Sequence, residues 1–224
     1  MLPREDRDFI TNEMKVSLES IDLKLSEDFL SPYRNKFEAS ISFFVKTVRM
    51  QNELGYKFDP YSFEDSPAEK AINQHYIELS DSIDNKESDA ILDSIRHAFC
   101  SFARGGIRQL FTNQENEVWY PKVILDSEVH PNNIDTLPEI VVLYRGADIS
   151  ELKLLNFGQS WTTKEDVARE FAYRHYANQN WFVKENRIIL KTEYARCFVY
   201  FANQAPEYEV AINTTKIGKV ERII

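Results

Sequence analysis

The sequence predicts an α+β protein whose helices and strands are segregated along the chain. Three observations lead there. Residues from about Phe29 to Phe102 carry apolar side chains at helical spacing. From about Val118 the spacing shifts toward alternation, as in half-buried strands. A single helical pattern interrupts that later part. Helices gathered first and strands after them fit α+β better than a parallel sheet of alternating units.

In the first part, Phe37, Ile41, Phe44 and Val48 fall on one helical face, with Val45 widening the stripe. A second helix runs through Ala68, Ala71, Ile72, His75, Tyr76, Leu79 and Ile83, entered through Pro67 near its first turn. A third uses Ile91, Ile95, Ala98, Phe99 and Phe102, opens at Ser88 and stops at Gly105-Gly106. The linker GYKFDPYSFEDSP between the first two is turn-rich and aromatic, as expected of an ordered loop. In the second part, VWYPKVILD and EIVVLYRG read as strands, the latter a continuous apolar run suited to a buried position. FGQSWTT then leads into a helix with Thr163 as its N-cap and Glu165 and Asp166 in its first turn. Its apolar face is Val167, Ala168, Phe171, Ala172 and His175. RIILKTEY, RCFVYF, EYEVAIN and KIGKVERII follow as strands. The expected division is a helical leader, residues 1–115, and a β-rich core, residues 116–224, forming one structural domain.

Composition bounds the class. With 224 residues, 43% of them hydrophobic and 13% aromatic, the chain can bury a core without staples. Cys100 and Cys197 each sit among apolar neighbours and read as buried free thiols, which favours a reducing compartment. The N-terminal MLPREDRDFI has neither an apolar signal core nor a transit pattern, and no apolar run reaches membrane-span length. A cytoplasmic protein is expected, or one delivered to a target cytosol, with no membrane partner. The net charge of −9 weighs against sequence-independent duplex binding, though not against a local basic groove. His75, His97, His130 and His175 show no ligand spacing with the cysteines, so no metal site is expected. His75 and His175 lie on helical apolar faces and read as core or boundary residues. No P-loop, Rossmann glycine run or HExxH is present.

Three short segments carry chemistry. Leu143-Tyr144-Arg145-Gly146 ends an apolar strand, and a guanidinium fork there suits a diphosphate; alone, it also reads as a surface arginine. Ser160-Trp161-Thr162 places two hydroxyls on one face of a strand, where they orient a carboxylate or ligand, or merely cap the next helix. Glu207-Tyr208-Glu209 sends both glutamates to one face by alternation, and paired acids beside an apolar strand are costly to bury together, so one is expected either in solvent or with a raised pKa. Alone, that pair is a solvated strand edge.

Taken in order, the trio resembles the Arg-Ser-Glu class of mono-ADP-ribosyltransferases, with their aromatic-Arg strand, Ser-x-Ser/Thr strand and Glu-x-Glu strand. The resemblance covers about Ile140 to Ile224 and includes the Phe171-Ala172 pair and VYFANQAPEYE, which looks like the family's substrate-recognition loop. Trp161 and Thr162 depart from the usual small middle residue and second serine. The resemblance implies a split β core of two small sheets with the NAD cleft between them and the leader packed on one side. It implies NAD as substrate, with no metal, bound by Tyr144, Arg145, Gly146, Ser160, Trp161, Thr162, Phe171, Tyr200, Phe201 and Glu209. Glu209 would stabilise the charge that develops on the ribose, Ser160 would hold Glu209, and Arg145 would grip the pyrophosphate. An aromatic from Tyr200, Phe201 or Trp161 would stack on nicotinamide, and Glu207 would activate the acceptor.

Glu207 at the upstream position points by resemblance to arginine acceptors, and the acidic charge leans the same way. Lys164, Arg169, Arg174 and Lys184, with Trp181 as a stacking platform, keep RNA or DNA bases open as acceptors. A toxin or defence effector held in check by an antitoxin or immunity protein over the cleft is the expected biology. Two alternatives stay open: an NAD hydrolase that uses water as acceptor, and an inactive helical interaction module on the same fold.

Overall fold

The computed structural model describes residues 2–59, 64–112, 119–179, 181–205 and 207–223. Residues 60–63 of the predicted ordered loop, Val118 and the 115/116 boundary lie outside the described residues. The chain forms two compact units, Met1–Ile124 and Leu125–Ile224.

The first unit is helical: α1 (Arg4–Asp8), α2 (Leu18–Leu25), α3 (Arg34–Glu53), α4 (Pro67–Ser80), α5 (Lys86–Gly105) and α6 (Ile107–Thr112). The three predicted helices are α3, α4 and α5. Phe37, Ile41, Phe44, Val45 and Val48 are all fully buried. A capping box opens α4: the Ser66 hydroxyl accepts from the Glu69 N–H, and the Glu69 carboxylate accepts from the Ser66 N–H. The expected start of α5 at Ser88 is corrected to Asn85, whose side-chain oxygen accepts from the Ser88 N–H. Gly106, at φ 66°, stops the helix where a side chain would be strained. Gln51, buried, ties the three helices together by donating to Ala103 O and accepting from the Ala68 N–H. His75 stacks on Phe43 at 4.4 Å, with its Nε2 3.0 Å from Ser40 Oγ, a boundary histidine with its hydrogen bond made. The strand expected over VWYPKVILD reduces to one antiparallel bridge, Val16↔Val123. Pro121 has no N–H to give a ladder.

The second unit contains β1 (Ile140–Asp148), α7 (Ile149–Leu154), β2 (Ser160–Thr162), α8 (Glu165–Tyr173), β3 (Arg187–Ala195), β4 (Val199–Asn203), β5 (Glu209–Ile212) and β6 (Val220–Arg222). α+β is therefore the observed class, but the expectation of two small sheets is corrected. The strands form one antiparallel sheet in the order β4-β5-β2-β1-β3-β6. Its halves meet through a single residue pair, Tyr144↔Thr162, whereas β1 and β3 pair from Ile140↔Ala195 to Asp148↔Arg187. β2 is only three residues long, and its other edge is taken by β5, which makes the sheet continuous.

Alternation sends Val141, Leu143, Ala147, Trp161, Leu190, Val210 and Ile212 into one core, which Leu152 and Phe157 cover. α7, which the sequence reading lacks, starts at Asp148, whose carboxylate accepts from the Ser150 N–H. On the other face α8 packs Ala168 and Ala172 against Ile189 and Tyr144. A Cβ on Gly146 would come within 2.3 Å of Ala168 O and 2.5 Å of Ala172 N, so glycine is what lets the α8 backbone lie against β1. Thr163 does not cap α8; the cap is Lys164, without a side-chain bond, and the Thr163 hydroxyl donates instead to Gln204 Oε1. His175 falls beyond the end of α8 and is exposed, which corrects its reading as a boundary residue. Cys100 is buried, but Cys197 is exposed in the short turn between β3 and β4. Among the described residues no helix is long and apolar enough to cross a membrane.

Candidate active site

Strand register assembles the site. Tyr144, Thr162, Glu209 and Asn203 stand in one row across β1, β2, β5 and β4. Ser160, Ala211 and Phe201 form the next row on the same face. Ser160 and Glu209 are thus diagonal neighbours, and the Ser160 hydroxyl donates to Glu209 Oε1 at 2.7 Å. The Glu209 carboxyl is pushed up to about 7: burial raises it most, the Ser160 hydrogen bond pulls it back, and the charge of Glu207 adds to the rise.

Glu207 is exposed, and the alternation expected for Glu207-Tyr208-Glu209 does not hold. β5 begins at Glu209, and Tyr208 sits at φ 52°, a left-handed conformation that costs a bulky residue about 1–3 kcal/mol. Neighbouring contacts hold it there. The Thr162 hydroxyl donates to Glu207 O at 2.9 Å, the Thr163 N–H donates to Tyr208 O at 3.0 Å, and the Lys164 ammonium lies 4.9 Å from the Tyr208 ring centre. Thr162 is thereby spent on the backbone that carries Glu207.

Arg145 stands on the opposite face of β1, in register with Leu190. Its Nε and Nη2 each donate to the Glu151 carboxylate at 2.9 Å, and its Nη1 donates to Ser160 O at 2.6 Å. These bonds use three of the five N–H groups of a guanidinium, leaving two for a ligand. Glu151 also accepts from the Gly158 N–H at 3.1 Å. A Cβ on Gly158 would come within 2.4 Å of Arg145 Nη2, so the turn there must be glycine for the arginine to lie flat against it.

The remaining predicted ligand contacts divide. Trp161 is 2% exposed, its Nε1 donating to Gly158 O, and Phe201 is 1% exposed. Neither presents a ring face, which corrects their expected stacking on nicotinamide: alternation turns Trp161 into the core. Tyr200 is half-buried. Tyr144 packs against α8, and Gly146 lies under that helix rather than at an open strand end. Phe171 begins a series of rings, with His175 at 4.8 Å, then Tyr176 at 4.6 Å from His175 and Trp181 at 5.3 Å from Tyr176. Of the flanking basic residues, Arg169 pairs with Glu165 and Arg174 with Glu170.

Glu151, Gly158 and Gln204 are the residues that sequence reasoning missed. Asp148-x-x-Glu151 does carry a signal, that of a capping box. Yet the Glu151 carboxylate goes to Arg145 instead, six residues back and across a strand end. The site therefore offers a half-buried carboxylate oriented by a hydroxyl, a second carboxylate in solvent beside it, and a guanidinium behind it. Comparison of the chain with family models, with characterised proteins and with solved structures finds no match to any of them.

Proposed function

We propose that the chain is an NAD-dependent mono-ADP-ribosyltransferase, transferring ADP-ribose to a macromolecular acceptor. The observation that carries this reading is the Ser160–Glu209 hydrogen bond at 2.7 Å, with Arg145 bonded to the carbonyl of the same serine. Three residues from three separate strands, in the order of the Arg-Ser-Glu class, meet in one linked group. The residues fit the substrate: Arg145 keeps two N–H groups for a diphosphate oxygen, and Glu209 is half-buried where a ribose hydroxyl would be drawn from water.

Each role follows from the chemistry of the bond to be broken. As the bond from ribose C1′ to the nicotinamide nitrogen breaks, its electron pair leaves with nicotinamide and positive charge grows on the sugar. Glu209, ionised and bonded to the ribose 2′-hydroxyl, opposes that charge more strongly in the transition state than in the ground state. Ser160 holds the carboxylate in place. Glu207, in solvent, takes the proton from the acceptor nitrogen as that nitrogen bonds to C1′. A protein arginine remains the favoured acceptor, since two of the four flanking basic residues are already paired with acids. The ring series ending on Trp181, which is 51% exposed, favours a nucleobase as the second reading. Such an activity inside a cell calls for an antitoxin or immunity partner that covers this site.

One experiment tests the reading: incubation with NAD labelled in its adenosine half, with and without cell lysate, following nicotinamide release and label transfer. Glu209→Gln is expected to lose both, by about 100-fold or more, and Glu207→Ala to lose transfer while still releasing nicotinamide to water. Label removed by protease identifies a protein acceptor, and label removed by nuclease a nucleic acid. A wild-type protein that releases no nicotinamide under any of these conditions overturns the proposal.

A further inference from the structure

Glu151 stands at the head of a chain of contacts that ends on the proposed active carboxylate. Its two oxygens take the Arg145 Nε and Nη2, each at 2.9 Å, and Oε2 also takes the Gly158 N–H. Arg145 Nη1 then donates to Ser160 O, and Ser160 Oγ donates to Glu209 Oε1. The ion pair is well shielded, with 21% and 22% of the two side chains exposed. Ser160 pairs with Ala211 of β5, and on its β1 side, where the two strands share the single pair Tyr144↔Thr162, the Arg145 side chain bonds its carbonyl. A bidentate, partly buried pair fixes direction as well as distance.

We infer that Glu151 is a positioning residue: it clamps the Arg145 fork against the Gly158 turn, so that Arg145 sets the place of Ser160 and, through it, of Glu209. The arginine's first task is therefore internal, and only two of its five N–H groups are left over for a ligand. Gly158 is the other jaw of the clamp, since any side chain there would push into the guanidinium. Arg187 lies near enough to influence both members of the ion pair, and Glu207 bears on Glu209 from solvent. Those charges stay in place when Glu151 is changed. The inference rests on the reading that Ser160 and Glu209 form the working pair, but it can be tested without any substrate.

The test is the titration of Glu209, followed by carboxyl carbon NMR in the full chain, with Glu209→Gln identifying its resonance. Two effects of removing Glu151 have opposite signs. Losing a nearby negative charge by itself makes Glu209 easier to ionise and lowers its pKa. Losing the clamp weakens the Ser160 hydrogen bond, which favours the ionised form, and so raises it. In Glu151→Gln the expected result is a rise of about half a pH unit to one unit, the scale of one net hydrogen bond. Ser160→Ala should give a rise of the same sign, and adding Glu151→Gln to it should give no further rise. Gly158→Ala attacks the clamp from the other side with every charge retained, and should raise the value too. Glu151→Ala is not needed, so a failure of that variant to fold does not matter. A Glu209 titration that is unmoved or lowered in Glu151→Gln, and unmoved in Gly158→Ala, overturns the inference. If the titrations behave as expected while the wild type releases no nicotinamide, the functional reading fails and the positioning chain stands.

Discussion

Replacing Glu209 by glutamine should stabilise the second unit at alkaline pH. In the folded chain burial lifts the Glu209 carboxyl from 4.5 to about 7. The folded state therefore holds this proton more tightly than the unfolded chain, and stability falls as pH rises through that window. At about 1.4 kcal/mol per unit the full shift corresponds to about 3 kcal/mol; solvent at a half-buried carboxylate screens this to about 1–2 kcal/mol. Glutamine keeps the shape and the acceptor for the Ser160 hydroxyl but never ionises. Wild type and Glu209→Gln should thus be close in stability at pH 4, with the variant about 1–2 kcal/mol more stable at pH 8. The assay is urea unfolding at both pH values, followed by the fluorescence of Trp161 in a background with Trp119→Phe and Trp181→Phe. Trp161 is buried in the core of this unit and reports its unfolding. A stability gap that is equal at the two pH values, or that favours wild type at pH 8, refutes the reasoning. A gain in stability joined to a loss of nicotinamide release is the trade-off expected where a fold buries a charge in order to use it.

Two further outcomes follow from the same geometry. The rate of nicotinamide release by wild type should rise about tenfold for each pH unit below about 7 and level off above it, as Glu209 loses its proton; a rate independent of pH between 5 and 8 removes Glu209 from the charged role. Gly146→Ala should cost about 1–3 kcal/mol in urea unfolding, because the new methyl meets the α8 backbone and not a side chain that can move aside.

Long periodic segments were legible in the sequence. α3, α4 and α5 lie where apolar spacing puts them, and β1 and β3 where the runs EIVVLYRG and RIILKTEY stand. The misses share a physical cause. α7 is six residues long and held by a cap, too short for a periodic signal. Tyr120–Leu125 has strand-like composition, but its backbone is shared between the Val16 bridge and side chains, with Lys122 N–H donating to Ser20 and Leu125 bonded to the Gln159 amide. Tyr208 has the period of a strand and the φ of a turn, because Thr162 and Thr163 hold its peptide from another strand. Local pattern reports what a segment prefers; a hydrogen bond from distant sequence overrides it where the preference is worth a kcal/mol or so.

The candidate site shows the same division at finer grain. Ser160 and Glu209 open β2 and β5, whereas Arg145 follows the apolar run of β1 and lies inside that strand; strand order brings the three close together. What each one touches was not legible, because the partners come from a short helix and from loops: Glu151 from α7, Gly158 from the approach to β2, Gln204 from the loop before β5. The sequence reading therefore singles out three residues that the fold links through hydrogen bonds, and aims one of them outward too completely. Arg145 reads as a phosphate grip, yet three of its N–H groups close on the protein itself. A clamp of that kind supports a sheet where two strands share one pair: β5 pairs with Ser160 from one side, and the Arg145 side chain holds its carbonyl. The narrow joint of the sheet and the precision of the Ser160–Glu209 contact are thus one problem, and the Glu151–Arg145 pair is its solution.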